Sequence, residues 1–219
     1  GVAYLNQTLK PFKRKIIPSI EYYLGYKAPF KSVICTFDGS PSKQFISNVM
    51  TNIKSHHILL NGVDNYNYEN NELALRKNLK ISKSTKIILT IGRLSKDKSP
   101  EILIDSLEKL KKLNNNFFAI FIGDGPLLNS LKIKVLDKKM SNNVFFSGSI
   151  NHSEVINWLN IADIFISLND CGNLSNAVLE AINSNKCIVK FDYCKKTEKD
   201  IHLLDKNIRN GFELINREK

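Results

Sequence analysis

The chain has few cysteines, and their spacing suits neither metal nor bridge chemistry. Cys35, Cys171, Cys187 and Cys194 include no Cys-x-x-Cys pair, and the four histidines do not fall at metal-ligand spacing. This argues against a bound metal and against a disulfide framework. Reduced thiols in a cytosolic compartment are the simplest expectation. No apolar run reaches the ~20 residues needed to span a bilayer. Residues 1–5 lack the basic start and long apolar stretch of a signal peptide. Position 1 is Gly, not an initiating Met, so a missing N-terminal stretch is expected. There is no internal repeat. No motif for reading RNA or DNA is visible, and aromatics do not interleave with basic residues as a stacking platform would. Nucleic acid is therefore not expected as a partner.

What is present is ordinary globular material. Of 219 residues, 42% are hydrophobic and 24% charged, enough to bury a core in one large domain or in one domain plus part of another. The net charge of +11 favours acidic partners, although a Lys-, Asn- and Ile-rich composition accounts for much of it. One local cluster, Lys10-Pro11-Phe12-Lys13-Arg14-Lys15, is a candidate for peripheral contact with the inner face of a membrane. Such contact contributes about 1 kcal/mol per basic residue near anionic lipid.

Strand-like and helix-like segments alternate. Residues 32–36 and 58–60 read as short strands, 41–52 as a helix, and the unpatterned stretch 65–71 as a linker. The alternation strengthens at residues 86–91, a continuous apolar run of the kind buried on both faces of a sheet. A helix is expected from Ser99 as N-cap with Pro100 at its first position; Ile102, Leu103, Leu107 and Leu110 are expected to share its apolar face. Residues 117–122 are a strand, and Gly123-Asp124-Gly125-Pro126 opens the next helix. Residues 143–147 are a strand. Asn151 and Glu154 stand at capping-box spacing before a helix through Asn160. Residues 163–167 are a strand, 174–184 a helix and 186–190 a strand. The pattern predicts an α/β protein with a doubly wound parallel sheet, whose ligands bind beyond the C-terminal strand ends.

Those ends carry the candidate chemistry. In the loop 92–98, Gly92 permits a tight exit while Arg93 and Lys98 bring positive charge to a helix N-terminus, a combination suited to pyrophosphate. In the segment 169–181, the turn Asn173-Leu174-Ser175-Asn176 runs into a helix whose dipole favours an anion. Glu180 lies one and a half turns further in, placed to accept hydrogen bonds from ribose hydroxyls. Gly123 to Pro126 reads as a structural turn rather than a ligand contact. Backbone groups from Gly148 to Ile150 are candidates for reading a base edge, since glycine allows close approach.

In order and spacing, several segments resemble the family 4 glycosyltransferases: Asn61-Gly62-Val63-Asp64; Gly92-Arg93-Leu94 with Lys98; Gly123-Asp124-Gly125-Pro126; Val144, Phe146 and Gly148; Ala162-Asp163-Ile164-Phe165; and Leu179-Glu180-Ala181. The resemblance implies the GT-B fold, two Rossmann-like domains with a cleft between them. On that basis residues 1–63 are the end of an N-terminal acceptor domain, and residues 64–219 a donor domain lacking its last helices. It implies a retaining hexosyltransferase-type reaction from a UDP-sugar or GDP-sugar to a glycan or lipid-linked acceptor, usually without a metal or other cofactor. Arg93 and Lys98 would neutralise the pyrophosphate and Glu180 would bind the ribose. The family's other glutamate, eight positions earlier, is here Gly172, with Asp170 nearby; Asn173 and Asn176 are candidates to replace it. Without an acceptor domain the chain is expected not to transfer sugar by itself. The alternative is a non-catalytic remnant that only binds a nucleotide or nucleotide sugar.

Overall fold

Alternate residues of one short strand enter two different cores. In the strand β3 (Lys86–Ile91), Ile88 joins one apolar cluster while Ile87 and Leu89 join another. The next strand, β4 (Phe117–Ile122), does the same: Ala119 and Phe121 go one way, Ile120 and Ile122 the other. Side chains in a strand point to opposite faces in turn, so apolar residues at both parities require cover on both faces. Burying each such Ile or Leu contributes about 1.5–3 kcal/mol.

The structure is a computed structural model and describes residues 32–37, 55–63, 72–169, 174–191 and 212–215. The chain divides into two compact units, Gly1–Asn61 and Gly62–Lys219. In the first, β1 (Ser32–Phe37) and β2 (Ser55–Leu60) pair in parallel. The helix expected over 41–52 and the linker over 65–71 lie outside the described residues, as do the basic cluster at 10–15 and the turn residues Asp170 to Asn173.

In the second unit, β3 and β4 are joined by β5 (Val144–Gly148), β6 (Ile164–Ser167), β7 (Cys187–Phe191) and β8 (Phe212–Ile215). The order is β5-β4-β3-β6-β7-β8, and every pairing is parallel. Counted from β3, this is the 3-2-1-4-5-6 order of a Rossmann-type sheet, which reverses its winding between β3 and β6. The helices divide accordingly. α2 (Pro100–Leu113) and α3 (Leu128–Asp137) cover one face, with Leu103, Ile104, Leu107, Leu131 and Val135 in the first cluster. α4 (Val155–Ile161) and α5 (Asn176–Asn183) cover the other through Val155, Leu159, Val178 and Ala181. α1 (Glu72–Asn78) adds Leu75 to that second face.

Several details differ from the sequence expectation. Ile102 is exposed and Ile104 fills the core in its place; at 100° per residue, positions 107 and 100 fall between 103 and 104 on the buried stripe, and 102 lies outside it. Ser99 holds the N-cap position of α2 but not as an extended-backbone cap. A 3-10 turn, Lys96–Lys98, runs directly into the helix, so Ser99 takes a left-handed conformation (φ 48°) and its N–H donates to Lys96 O. α3 begins at Leu128, two residues past Pro126. A second 3-10 turn, His152–Glu154, precedes α4, and Glu154 accepts the Asn151 N–H at 3.2 Å, the glutamate half of a capping box.

Candidate functional site

Because all six strands run the same way, the segments following β3, β4, β5 and β6 emerge at one edge of the sheet. The switch between β3 and β6 places the Gly92 loop and the approach to α5 next to each other there.

The loop after β3 is braced on both sides. Gly92 N–H donates to Ile122 O at 2.9 Å, Leu94 N–H to Asp124 O at 2.9 Å, and Leu127 N–H to Leu94 O at 3.0 Å. The Leu94 side chain is buried in the first core. Within the loop, the Ser95 hydroxyl donates to Asp97 Oδ1 at 2.6 Å and Lys98 N–H donates to Ser95 O at 3.0 Å. The backbone is thus fixed while Arg93 stays exposed and Lys98 half-buried. A rigid loop presenting two cations loses little entropy when an anion arrives.

The Gly123–Pro126 turn provides this bracing, in line with its structural reading. A Cβ on Gly123 would stand 2.1 Å from Gly92 O, and one on Gly125 would stand 2.4 Å from Leu94 O. Only glycine lets the two strand exits touch at both points. Asp124 caps the turn by accepting Gly125 N–H at 2.6 Å.

At the end of β5, Gly148 has φ 71°, a conformation that favours glycine. Its carbonyl accepts from Gly123 N–H at 2.9 Å and from the Ser147 hydroxyl at 2.8 Å. That carbonyl is committed to the fold, which leaves Ser149 and Ile150 as the better candidates for meeting a base. Ile150 packs against the second core.

α5 starts after Leu174, whose side chain is buried, and Ser175, whose carbonyl accepts from Val178 and Leu179 N–H. Asn176 is exposed at the first helical position. Glu180 is 7% exposed. Burial pushes its carboxyl above the usual glutamate range, and His152 partly offsets this. The His152 Nε2 lies 3.4 Å from Glu180 Oε1. Sequence reasoning missed this pairing: 28 residues separate the two, and a histidine in a polar turn carries no spacing signal.

At the opposite edge, Asp163 ties the switch-point strands together. Its carboxylate accepts Lys86 Nζ at 2.7 Å and Ile87 N–H at 2.9 Å. Burial works against its ionisation, but the Lys86 ammonium and the Ile87 N–H outweigh burial and hold the carboxyl below the usual aspartate range. Among the described residues, no group of three His, Cys, Asp or Glu could hold a metal ion, and no helix is long and apolar enough to cross a membrane.

Residues 71–200 match the family described as Glycosyl transferases group 1. An alpha-monoglucosyldiacylglycerol synthase of Streptococcus pneumoniae is 25% identical over 185 residues, covering 80% of this chain and 41% of that protein. An uncharacterized glycosyltransferase of Methanocaldococcus jannaschii is 25% identical over 212 residues, covering 95% of this chain and 51% of that protein. The chain therefore spans about half the length of these relatives or less. Among solved structures, Anabaena HepE in complex with UDP and glucose superimposes with a TM-score of 0.70 at 20% identity, over 90% of this chain and 52% of that one. This likeness establishes the GT-B type of fold.

Proposed function

Because the chain belongs to the group 1 glycosyl transferases, we propose that its second unit is the donor half of a retaining glycosyltransferase and binds a nucleoside-diphosphate sugar at the β3–β6 switch point. The observation that carries this reading is the braced loop from Gly92 to Lys98, which offers Arg93 and Lys98 beside the start of α2 at the ligand edge of a Rossmann-type sheet. Fixed backbone and two cations beside a helix start suit a pyrophosphate.

In this reading the nucleobase lies along Ser149 and Ile150, the ribose hydroxyls donate to Glu180, and the pyrophosphate meets Gly92, Arg93 and Lys98. The backbone amides of Leu174, Ser175 and Asn176 are turned to the donor sugar, with Asn173 a further candidate to meet it. As the bond from the sugar to the diphosphate breaks, negative charge grows on the leaving nucleoside diphosphate. Arg93 and Lys98 interact more strongly as it grows, which lowers the barrier. The acceptor, a glycan or lipid-linked sugar, would be held by the remainder of the whole enzyme, of which residues 1–63 are the adjoining end. A peripheral position at the inner face of the membrane, through the basic cluster at 10–15, fits a lipid-linked acceptor. The relatives support the direction of this reading. One is by name a synthase of a glucosylated lipid, and HepE was solved with UDP and glucose.

Calorimetric titration of the chain with UDP, GDP and ADP tests the donor site. Saturable binding of UDP or GDP is expected. No binding to any of the three would remove the donor-site assignment.

A further inference from the structure

We propose that His152 is a positioning residue for the ribose of the bound nucleotide, acting through Glu180. The inference rests on the donor-site reading above. It starts from an asymmetry: the Glu180 side chain is 8% exposed, the His152 side chain 62%. A carboxylate must be ionised and oriented to accept hydrogen bonds from both hydroxyls of a diol, and burial opposes the ionised form. His152 answers both needs. Its Nε2 lies 3.4 Å from Oε1, and in the proposed complex the ribose hydroxyls meet the carboxylate beside it.

The histidine is also held where this requires. It opens the 3-10 turn that Glu154 fastens to the Asn151 N–H, two residues after Ile150. The segment proposed to meet the base therefore carries the group that steadies the ribose carboxylate, and the pair links the β5 exit to α5. Glu154 is the nearest charge in sequence, and its carboxylate is engaged by its own turn. The contact joins an outward-lying imidazole to a buried carboxylate, so a substitution of His152 alters the carboxylate's setting without opening the core.

The test measures affinity for UDP, GDP and their 2′-deoxy counterparts in the full 219-residue chain and in His152→Ala, His152→Gln and Glu180→Ala. The ratio of ribose to deoxyribose affinity is the readout, because a merely structural role would weaken both ligands alike. The ratio is expected to fall about tenfold in His152→Ala, the scale of one hydrogen bond to a charged group. It is expected to recover in His152→Gln, whose amide still donates, and to collapse in Glu180→Ala. An unchanged ratio in His152→Ala, or a fall that His152→Gln does not reverse, overturns the inference while a collapse in Glu180→Ala leaves the ribose site standing. An unchanged ratio in Glu180→Ala overturns the ribose assignment itself.

Discussion

Gly92 and Gly123 meet backbone to backbone at the ends of neighbouring strands: a Cβ on Gly123 would lie 2.1 Å from the Gly92 carbonyl oxygen. The atom in the way belongs to main chain that is itself hydrogen-bonded, so no side-chain rotation relieves the clash. The candidate phosphate loop is thus built on a contact that two glycines make possible.

Gly123→Ala should therefore cost about 2–4 kcal/mol of stability, combining steric displacement with a φ of 131°. Gly148→Ala is the comparison. It has a φ of 71° and open space where the Cβ would go, so about 1 kcal/mol of backbone strain is expected. Urea unfolding of both variants measures this, and equal losses would contradict the close-contact account.

Asp163 should show its role through pH. Its folded carboxyl is held below the usual range, so its contribution is present above the unfolded value of about 3.9 and is lost as pH falls through the folded one. Asp163→Ala should be less stable than the parent by about 1–2 kcal/mol near neutrality. The two should converge in acid. A gap of constant size in thermal melts from about pH 7 to about pH 2 would show that the Lys86 and Ile87 contacts are not the cause.

Glu180 has the opposite sign. Its folded carboxyl is raised by burial, so the stability tied to its protonated form is complete below the usual glutamate range of about 4.3. That stability is lost as pH rises through the raised folded value. Glu180→Gln should melt near the parent in acid and above it at neutral pH, while binding nucleotide more weakly. A variant no more stable than the parent at neutral pH would mean that the buried carboxylate is better compensated than His152 alone allows. Stability given up at a ligand site is the usual trade.

The sheet was readable because parallel strands buried on both faces are nearly all apolar: residues 86–91 and 117–122 are strands over the full expected span. The Rossmann alternation was legible for the same reason. Other features were not. α1 has seven residues, with Leu73 exposed and Arg76 buried, the latter paired with Glu72 and donating to the Ser82 and Thr85 carbonyls. That inverts the pattern by which a helix is recognised. β8 is a four-residue edge strand containing Glu213, and gains its place by pairing with β7 rather than by its own pattern. The left-handed Ser99 depends on the 3-10 turn before it, and the His152–Glu180 pair on tertiary proximity.

The central claim is that the loop from Gly92 to Lys98 binds the diphosphate. The direct measurement is the affinity of UDP against that of uridine, and of GDP against guanosine, in the parent chain, Arg93→Ala and Lys98→Ala. The diphosphate should bind the parent far more tightly than the nucleoside, and each substitution should remove about 10–100-fold of that advantage while leaving nucleoside affinity unchanged. A diphosphate advantage that survives both substitutions intact would contradict the account.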